Sequence, residues 1–338
     1  MKTPRYWQSC FPACLLLPLA WLFGAVATLR RLLFRSGMLR RTRLTVPVVV
    51  VGNLSAGGAG KTPTVRYLAE RMRMLGWRPG IVCRGYGGSE AGCAQVNPQG
   101  LASRYGDEPL LLARTCACPV FVGRDRVAAA QTLLAAHPSV NLIITDDGLQ
   151  HYRLARDIEI VVIDGSRGLQ NGWLLPAGPL REPASRLNAA DALLINGPAR
   201  AALPSHPQTF AMQLEAGALW QLGQPDRRCS LADLRGQRVA ALAGIAHPDR
   251  FFTLLREAGL QIDAYPFADH YAYRATDLAP LRDTVIVTTE KDAVKLAALQ
   301  HNGSIWVVPV AAQLTPDLAA WLDARLHALR SPHGHQAA

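Results

Sequence analysis

Residues 47–64 read PVVVVGNLSAGGAGKTPT. Four consecutive valines are too few for a helix but suit a strand buried on both faces, and glycines follow where that strand would end. Gly60, Lys61 and Thr62 then precede a helical pattern over residues 65–75. In a P-loop the glycines let backbone N–H groups approach phosphate oxygens and the lysine reaches the β/γ-phosphates. The threonine hydroxyl ligates Mg²⁺, and the following helix points its positive end at the anion. Ser55, Ala56, Gly57, Gly58, Ala59, Gly60, Lys61 and Thr62 are therefore the expected nucleotide-phosphate loop, with Mg²⁺ beside it. The usual pattern places a glycine five residues before Gly60, where this chain has Ser55; Gly57 and Gly58 supply the flexibility instead. A glycine-rich turn without a ligand is the competing reading, and the order strand, glycines, Lys-Thr, helix argues against it.

At 338 residues, 49% hydrophobic and 18% charged, the chain is long enough for two domains and a large core. Its net charge of +11 is unevenly placed. No Asp or Glu precedes Glu70, whereas Lys2, Arg5, Arg30, Arg31, Arg35, Arg40, Arg41, Arg43, Lys61 and Arg66 do. Setting those ten aside from the 36 basic residues leaves 26 against 25 acidic ones, so the body is close to neutral and the basic surface belongs to the N-terminus. Seven cysteines without paired CxxC spacing argue against a disulfide framework and a zinc site, and fit reduced thiols in a cytosolic body.

Residues 10–29, CFPACLLLPLAWLFGAVATL, carry no charge over about the length that crosses a bilayer core as a helix. A secretory signal is the first competitor, but the arginines from Arg30 to Arg43 would hold the downstream chain on the cytoplasmic side. Pro12 and Pro18 interrupt the helix, so a segment lying in the interface stays open beside a span. Next to an apolar anchor the arginine cluster reads as contact with anionic lipid headgroups. Nucleic acid is not indicated, because no aromatics interleave with the arginines and no nucleic-acid motif is present.

Beyond the loop, apolar strands at 81–83, 119–122, 140–145, 158–164 and 191–196 alternate with helices at 104–115 and 124–136. This pattern predicts a parallel, doubly covered sheet with the site at the strands' carboxyl ends. Asp107 and Glu108 fall in a first helical turn, where the dipole favours carboxylates, and capping accounts for them on spacing alone. The strand at 140–145 ends in Asp146-Asp147-Gly-Leu-Gln150-His151, where a P-loop protein places the acidic group that holds Mg²⁺. A turn would require only Asp-Gly. A proline- and glycine-rich connection at 171–183 ends in Arg181 and Glu182.

In this order GNLSAGGAGKTP, GDEP, DDGLQH, LLPAGPLREP, FADH and TTEKD closely resemble the tetraacyldisaccharide 4′-kinase family of lipid A biosynthesis. The resemblance runs from the apolar N-terminus to about Pro309. It implies ATP-dependent phosphorylation of the 4′-hydroxyl of a tetraacyl glucosamine disaccharide 1-phosphate, giving the 4′-phosphorylated lipid A precursor, lipid IVA. The implied location is the cytoplasmic face of the bacterial inner membrane, and the implied fold is two α/β domains joined by a short β linker around a cleft. Carried over by position, the resemblance makes Asp107 the candidate base, working with His270, which alone would read as structural. It offers Thr62, Asp146 and Glu182 for Mg²⁺, and Asp147, Gln150, His151 and Arg181 for phosphate or substrate. Ser55 is harmless under it, since the family's loop is built around GG-x-GKT. The implied partners are the acylated disaccharide and the inner-membrane lipid surface, with no nucleic acid and no required protein partner.

The expected class is α/β: a P-loop NTPase-like parallel sheet with helices on both faces, a second smaller α/β domain and an N-terminal membrane-associated helix. The expected divisions are a membrane anchor with basic flank at 1–36, a P-loop kinase domain at 37–203, a β linker at 204–226, the second domain at 227–330 and a frayed tail at 331–338. Linker strands are expected at 208–214 and 218–222. In the second domain strands at 239–244, 261–265, 284–288 and 305–308 alternate with helices at 249–258, 276–282, 290–299 and 316–329. His247 reads as structural, and Lys291 and Asp292 as either a cap or ligand-facing residues. A membrane-tethered P-loop NTPase switch acting on a protein partner is the rival function, and it leaves Asp107, His270 and the Arg181-Glu182 segment idle. A lipid-binding module with purely structural ATP predicts no turnover.

Overall fold

The valine run becomes β1 (Val48–Gly52), buried at every residue and paired in parallel with β5 (Leu142–Asp146) on one side and β6 (Ile158–Asp164) on the other. The computed structural model describes residues 4–9, 11–299 and 303–330, so the expected tail at 331–338 lies outside the described residues. Ahead of β1 is α1 (Leu17–Arg35). After it come α2 (Lys61–Met74), β2 (Pro79–Cys83), β3 (Ala94–Gln95), α3 (Ala102–Tyr105), α4 (Asp107–Thr115), β4 (Val120–Val122) and α5 (Arg126–Ala136). β7 (Ala192–Asn196) and β8 (Thr209–Ala216) follow β6. The remaining elements are β9 (Leu219–Gln221), β10 (Gln224–Cys229), β11 (Arg238–Ala243), α6 (Pro248–Glu257), β12 (Gln261–Pro266), α7 (Ala275–Leu278), β13 (Val285–Thr289), α8 (Glu290–Leu296), β14 (Ile305–Val308), β15 (Val310–Thr315) and α9 (Leu318–Arg330).

Two sheets result. The first has nine strands in the order β15-β8-β7-β6-β1-β5-β2-β4-β3, parallel except for its two edges; the second has six, β10-β9-β14-β13-β11-β12. Alternate valines of β1 serve opposite layers: Val49 and Val51 join Val65, Leu68 and Met72 of α2, while Val48 and Val50 join Val127 and Leu133 of α5. Each such fully buried side chain contributes about 1.5–3 kcal/mol, which fixes the strand's register and hence where its carboxyl end points.

The strands expected in a separate linker are shared out between the sheets. β8 extends the first, β9 and β10 extend the second, and the chain then returns: β15 pairs antiparallel with β8. The two passages lie side by side, tied by Gly217 N–H donating to Pro309 O at 2.9 Å. α9, expected in the second unit, packs Leu318, Leu322 and Leu326 into the first unit's core. β3, β10 and β15 were not expected, being short or polar on alternate positions. The helix expected at 104–115 breaks into α3 and α4 at Gly106, whose φ of +90° no helix accommodates.

Among the described residues Ala13–Arg35 is helical, and long and apolar enough to cross a membrane. One side touches protein along its length, with Gly24 against Leu174 and the Phe34 ring 6.0 Å from that of Tyr152. The other side, with Leu15, Leu19, Leu22, Val26 and Leu29, is exposed.

Leu322→Ala should destabilise the first unit, although the residue lies outside the range expected for it. The loss expected for such a buried leucine is about 2–5 kcal/mol. Calorimetry should then record a drop of roughly 2–4 °C in the unfolding midpoint for each kcal/mol lost. An unchanged midpoint would separate α9 from that core.

Candidate active site

β1 delivers the chain into the loop that ends at Lys61, and buried Asn53 braces the turn. Its Nδ2 donates to Ser55 O at 2.7 Å and Gly57 O at 3.1 Å, and its Oδ1 accepts from Lys61 Nζ at 3.2 Å. Ser55 forms an antiparallel bridge with Leu180, and Ala56 N donates to Pro179 O at 2.8 Å. Backbone held in a bridge is extended and does not require glycine, which explains why Ser55 is tolerated there. Gly60 has no such freedom: its φ is +101°, and a Cβ would lie 2.5 Å from Asn196 Nδ2. α2 then starts without a side-chain cap, so its first N–H groups remain available to an anion.

The register that sets Val51 beside Asp146 brings the end of β5 under this loop. Asp146 Oδ2 accepts from Thr62 Oγ1 at 3.1 Å, while its Oδ1 is buried and has no partner. Burial, then the Glu108 carboxylate, push the Asp146 carboxyl up to about 7 against the pull of Lys61. An unmatched buried carboxylate oxygen beside a threonine hydroxyl is what a divalent cation would neutralise, so Thr62 and Asp146 fit Mg²⁺. Among the described residues no three His, Cys, Asp or Glu side chains converge as a metal cluster, so phosphate and water oxygens would have to complete the coordination.

Asp147, with φ +52°, turns toward the cations: it lies 3.5 Å from Lys61 Nζ and 3.2 Å from Arg181 Nη1. Burial raises its carboxyl, but Lys61 and Arg181 outweigh that and hold it below the usual range. Gln150 joins the group, donating to Asn53 O at 3.3 Å and accepting from Arg181 at 3.4 Å. Two expected members stand apart. Glu182 is buried with its carboxylate accepting from Tyr152 and 3.6 Å from Arg186, a cation that also binds Glu159; its charge is met there and not beside Thr62. His151 Nε2 is buried 4.0 Å from Asp125 instead of reaching Lys61, and burial with the nearby Arg126 holds its imidazole at about 4.

The opposite wall is built at α4. Asp107 Oδ1 accepts from Glu108 N at 2.9 Å within the first turn, and the same carboxylate meets His270 Nδ1 at 2.9 and 3.0 Å across 163 residues of sequence. Burial raises the Asp107 carboxyl, but the His270 hydrogen bond and the ammonium groups of Lys291 and Lys295 outweigh it, leaving the carboxyl below its ordinary range. It is therefore ionised at neutral pH and Nδ1 is the donor. The Tyr86 ring, in the Gly85-Tyr86-Gly87-Gly88 loop that follows β2, sits 5.0 Å from the imidazole.

Sequence reasoning missed Asn53, Arg167 and Arg250 and set His247 aside. Arg167 Nη2 donates to Gly58 O at 3.2 Å, and Arg250 on α6 bonds Asp164 at 2.5 Å, closing the second unit over the loop. A Cβ on Gly57 would lie 4.0 Å from His247 Nε2, so this histidine borders the phosphate loop; burial and Arg167 hold it at about 4. The TTEKD alternatives divide between two residues. The cap is Thr289, whose Oγ1 accepts from Asp292 N at 3.1 Å, while the Asp292 carboxylate braces it by accepting from Thr289 Oγ1 at 2.7 Å and Gly244 N at 3.0 Å; Lys291 faces the cleft. An asparagine directly after the strand was the one local signal available; the others come from distant segments.

A parallel α/β sheet with a phosphate loop, an acidic strand end beside it and a carboxylate–imidazole pair across a cleft defines a P-loop phosphotransferase. The tetraacyldisaccharide-1-P 4′-kinase family profile matches residues 12–327. The tetraacyldisaccharide 4′-kinase of Chromobacterium violaceum is 50% identical over 337 residues, 98% of this chain and 97% of its own. That of Dechloromonas aromatica is 50% identical over 305 residues, 90% of each chain. A crystal structure of LpxK from Aquifex aeolicus in complex with ATP superposes with a TM-score of 0.79 at 29% identity, covering 93% of this chain and 98% of that one. The chain belongs to the tetraacyldisaccharide-1-P 4′-kinase family, and its reaction is the ATP-dependent 4′-phosphorylation of the tetraacyl disaccharide 1-phosphate.

His151 and His247 carry a pH consequence. Both are held at about 4, below the 6.5 of the unfolded chain, so between those values the unfolded chain binds more protons. Their contribution is complete above about pH 6.5 and declines as pH falls toward about 4. Unfolding midpoints measured across this window should decline less steeply in His151→Gln and His247→Gln; slopes equal to that of the unsubstituted chain would show that both imidazoles titrate normally.

Proposed function

We propose that 4′-phosphoryl transfer takes place in the cleft between the two sheets, with Asp107 as the base and the loop at 55–62 as the ATP site. The observation that supports this reading is the Asp107–His270 contact, in which an imidazole from the second unit holds an ionised carboxylate at the first turn of α4. That Glu108 acts on the Asp146 carboxyl supports placing both walls in one site. In this reading the backbone N–H groups of the loop and Lys61 cradle the phosphates. Thr62 and Asp146 would hold Mg²⁺, which when bound supplies charge neutralisation at the phosphate oxygens. The 4′-oxygen bonds to the γ-phosphorus, the bond to the ADP oxygen breaks, and the hydroxyl proton passes to Asp107 while His270 Nδ1–H orients the carboxylate. Arg181, anchored by Asp147 and Gln150, is placed to meet phosphate or substrate oxygen. Glu182 and His151 act as structural supports.

We further infer that the body works on the cytoplasmic face of the inner membrane with α1 lying in the interface. Leu15, Leu19, Leu22, Val26 and Leu29 recur at helical spacing on the uncovered side, and the arginines after them suit anionic headgroups. No protein partner enters this scheme.

Incubating the protein with γ-labelled ATP and tetraacyl disaccharide 1-phosphate should transfer label to the lipid in proportion to ADP formed. Lys61→Ala and Thr62→Ala should abolish most of the transfer, and Asp107→Ala should lower kcat by about 10² to 10⁴. A loss below roughly tenfold removes Asp107 from the role of base. Hydrolysis that ignores the lipid would favour the switch.

Removing residues 1–29 should move the protein from the membrane pellet to the supernatant on fractionation and lower its activity on bilayer-presented substrate. Retention in the pellet would put the anchor elsewhere.

A further inference from the structure

Two short connections run side by side between the first turn of α4 and the second unit, beside longer approaches of Lys291 and Lys295 to Asp107 at 3.9 Å. One is the Asp107–His270 bond. The other starts one residue later: Glu108 Oε1 accepts from Lys291 Nζ at 3.0 Å, and the same Nζ reaches Asp269 Oδ1 at 3.2 Å. Glu108 follows Asp107 and Asp269 precedes His270, so a single ammonium group ties together the immediate chain neighbours of the pair. Asp269 Oδ1 also accepts His270 N–H at 3.1 Å, and His270 itself sits at φ +58°. A non-glycine residue stays in that conformation only where its surroundings impose it.

Lys291 is suited to impose it and Lys295 is not. Lys295 also comes within 3.9 Å of Asp107 Oδ2, but its close contacts lie inside the second unit, with Asp292 at 2.6 Å and the Tyr273 ring at 5.2 Å. Lys291 meets carboxylates from both units, with Asp107 Oδ2 a further 3.9 Å away. Without it, Glu108 and Asp269 would approach each other as uncompensated negative charges in a poorly solvated cleft, and repulsion would push the His270 loop away from α4.

We propose that Lys291 is a positioning residue: by bridging Glu108 to Asp269 it holds the loop bearing His270 against the helix bearing Asp107, without itself touching the reacting atoms. This rests on the assignment of Asp107 and His270 in the proposed function. Displacing a catalytic group by about 1 Å costs on the order of 10² in rate, which sets the size of the effect.

The test uses the full-length protein with labelled ATP and tetraacyl disaccharide 1-phosphate. Lys291→Gln should lower kcat by about 10- to 100-fold with ATP affinity within about twofold of the starting protein. Lys291→Arg, which keeps the charge, should recover part of the rate. In a His270→Ala background Lys291→Gln should cost less than about threefold, because the group it positions is gone. Should Lys291→Gln lose ATP binding through misfolding, Glu108→Gln severs the same bridge from the other side and should show the same dependence on His270. An equal loss in both backgrounds, or a loss under about twofold while Asp107→Ala and His270→Ala each lose at least tenfold, overturns the bridge and leaves the base assignment standing. If Asp107→Ala and His270→Ala are themselves without effect, the base assignment falls and the bridge with it.

Discussion

The pairing of β1 with β5 is the constraint on which the site depends. Val51 lies beside Asp146 because alternate valines are claimed by hydrophobic layers on both faces of the sheet, and a shift by one residue would exchange the faces. That register puts the phosphate loop and the acidic strand end at the same edge, close enough for Thr62 Oγ1 to reach Asp146 at 3.1 Å. The chemistry thus inherits its geometry from apolar packing, which polar contacts in the loop then refine.

The polar side of the cleft is neutralised internally. Lys61 rests on Asn53 and Asp147, Arg181 on Asp147 and Gln150, Lys291 on Glu108 and Asp269. Partly buried ion pairs of this kind add little net stability, since desolvation offsets their attraction, but they fix direction. Arriving phosphates would find Lys61 and Arg181 already aimed and would exchange one set of oxygen partners for another, while Lys291 keeps its two carboxylates. Asp146 is the exception, with one oxygen left unmatched and its carboxyl pushed up by burial. Only added positive charge relieves that position.

Local patterns carried much of this architecture in the sequence. The strand at 158–164 appears as β6 over the same residues, because a continuous apolar run between turn signals has few alternatives. The phosphate loop and the acidic end of β5 were legible for the same reason: the chemistry and the secondary structure that supports it are contiguous. The features that escaped were long-range. β15 alternates only half-buried and exposed positions and does not announce itself until β8 pairs with it, and α9 reveals which core it serves only through contacts with residues far earlier in the chain. Glu182 looked like a companion of Arg181 from adjacency, yet the two side chains turn to different clusters. Lys291 could not be distinguished from a helix-start lysine, since Glu108 lies 183 residues away.

The passages at Gly217 and Pro309 have a mechanical consequence. A joint made of one strand lets two bodies swivel about every axis. Two strands bonded edge to edge form a ribbon, which bends across its flat face but resists twist and shear within its plane. Relative movement of the two sheets is thereby narrowed toward a single degree of freedom, as for a door on a leaf. Were the two sheets to part, Asp107 and His270 would rejoin along one arc at a reproducible angle, with little orientational entropy left to lose.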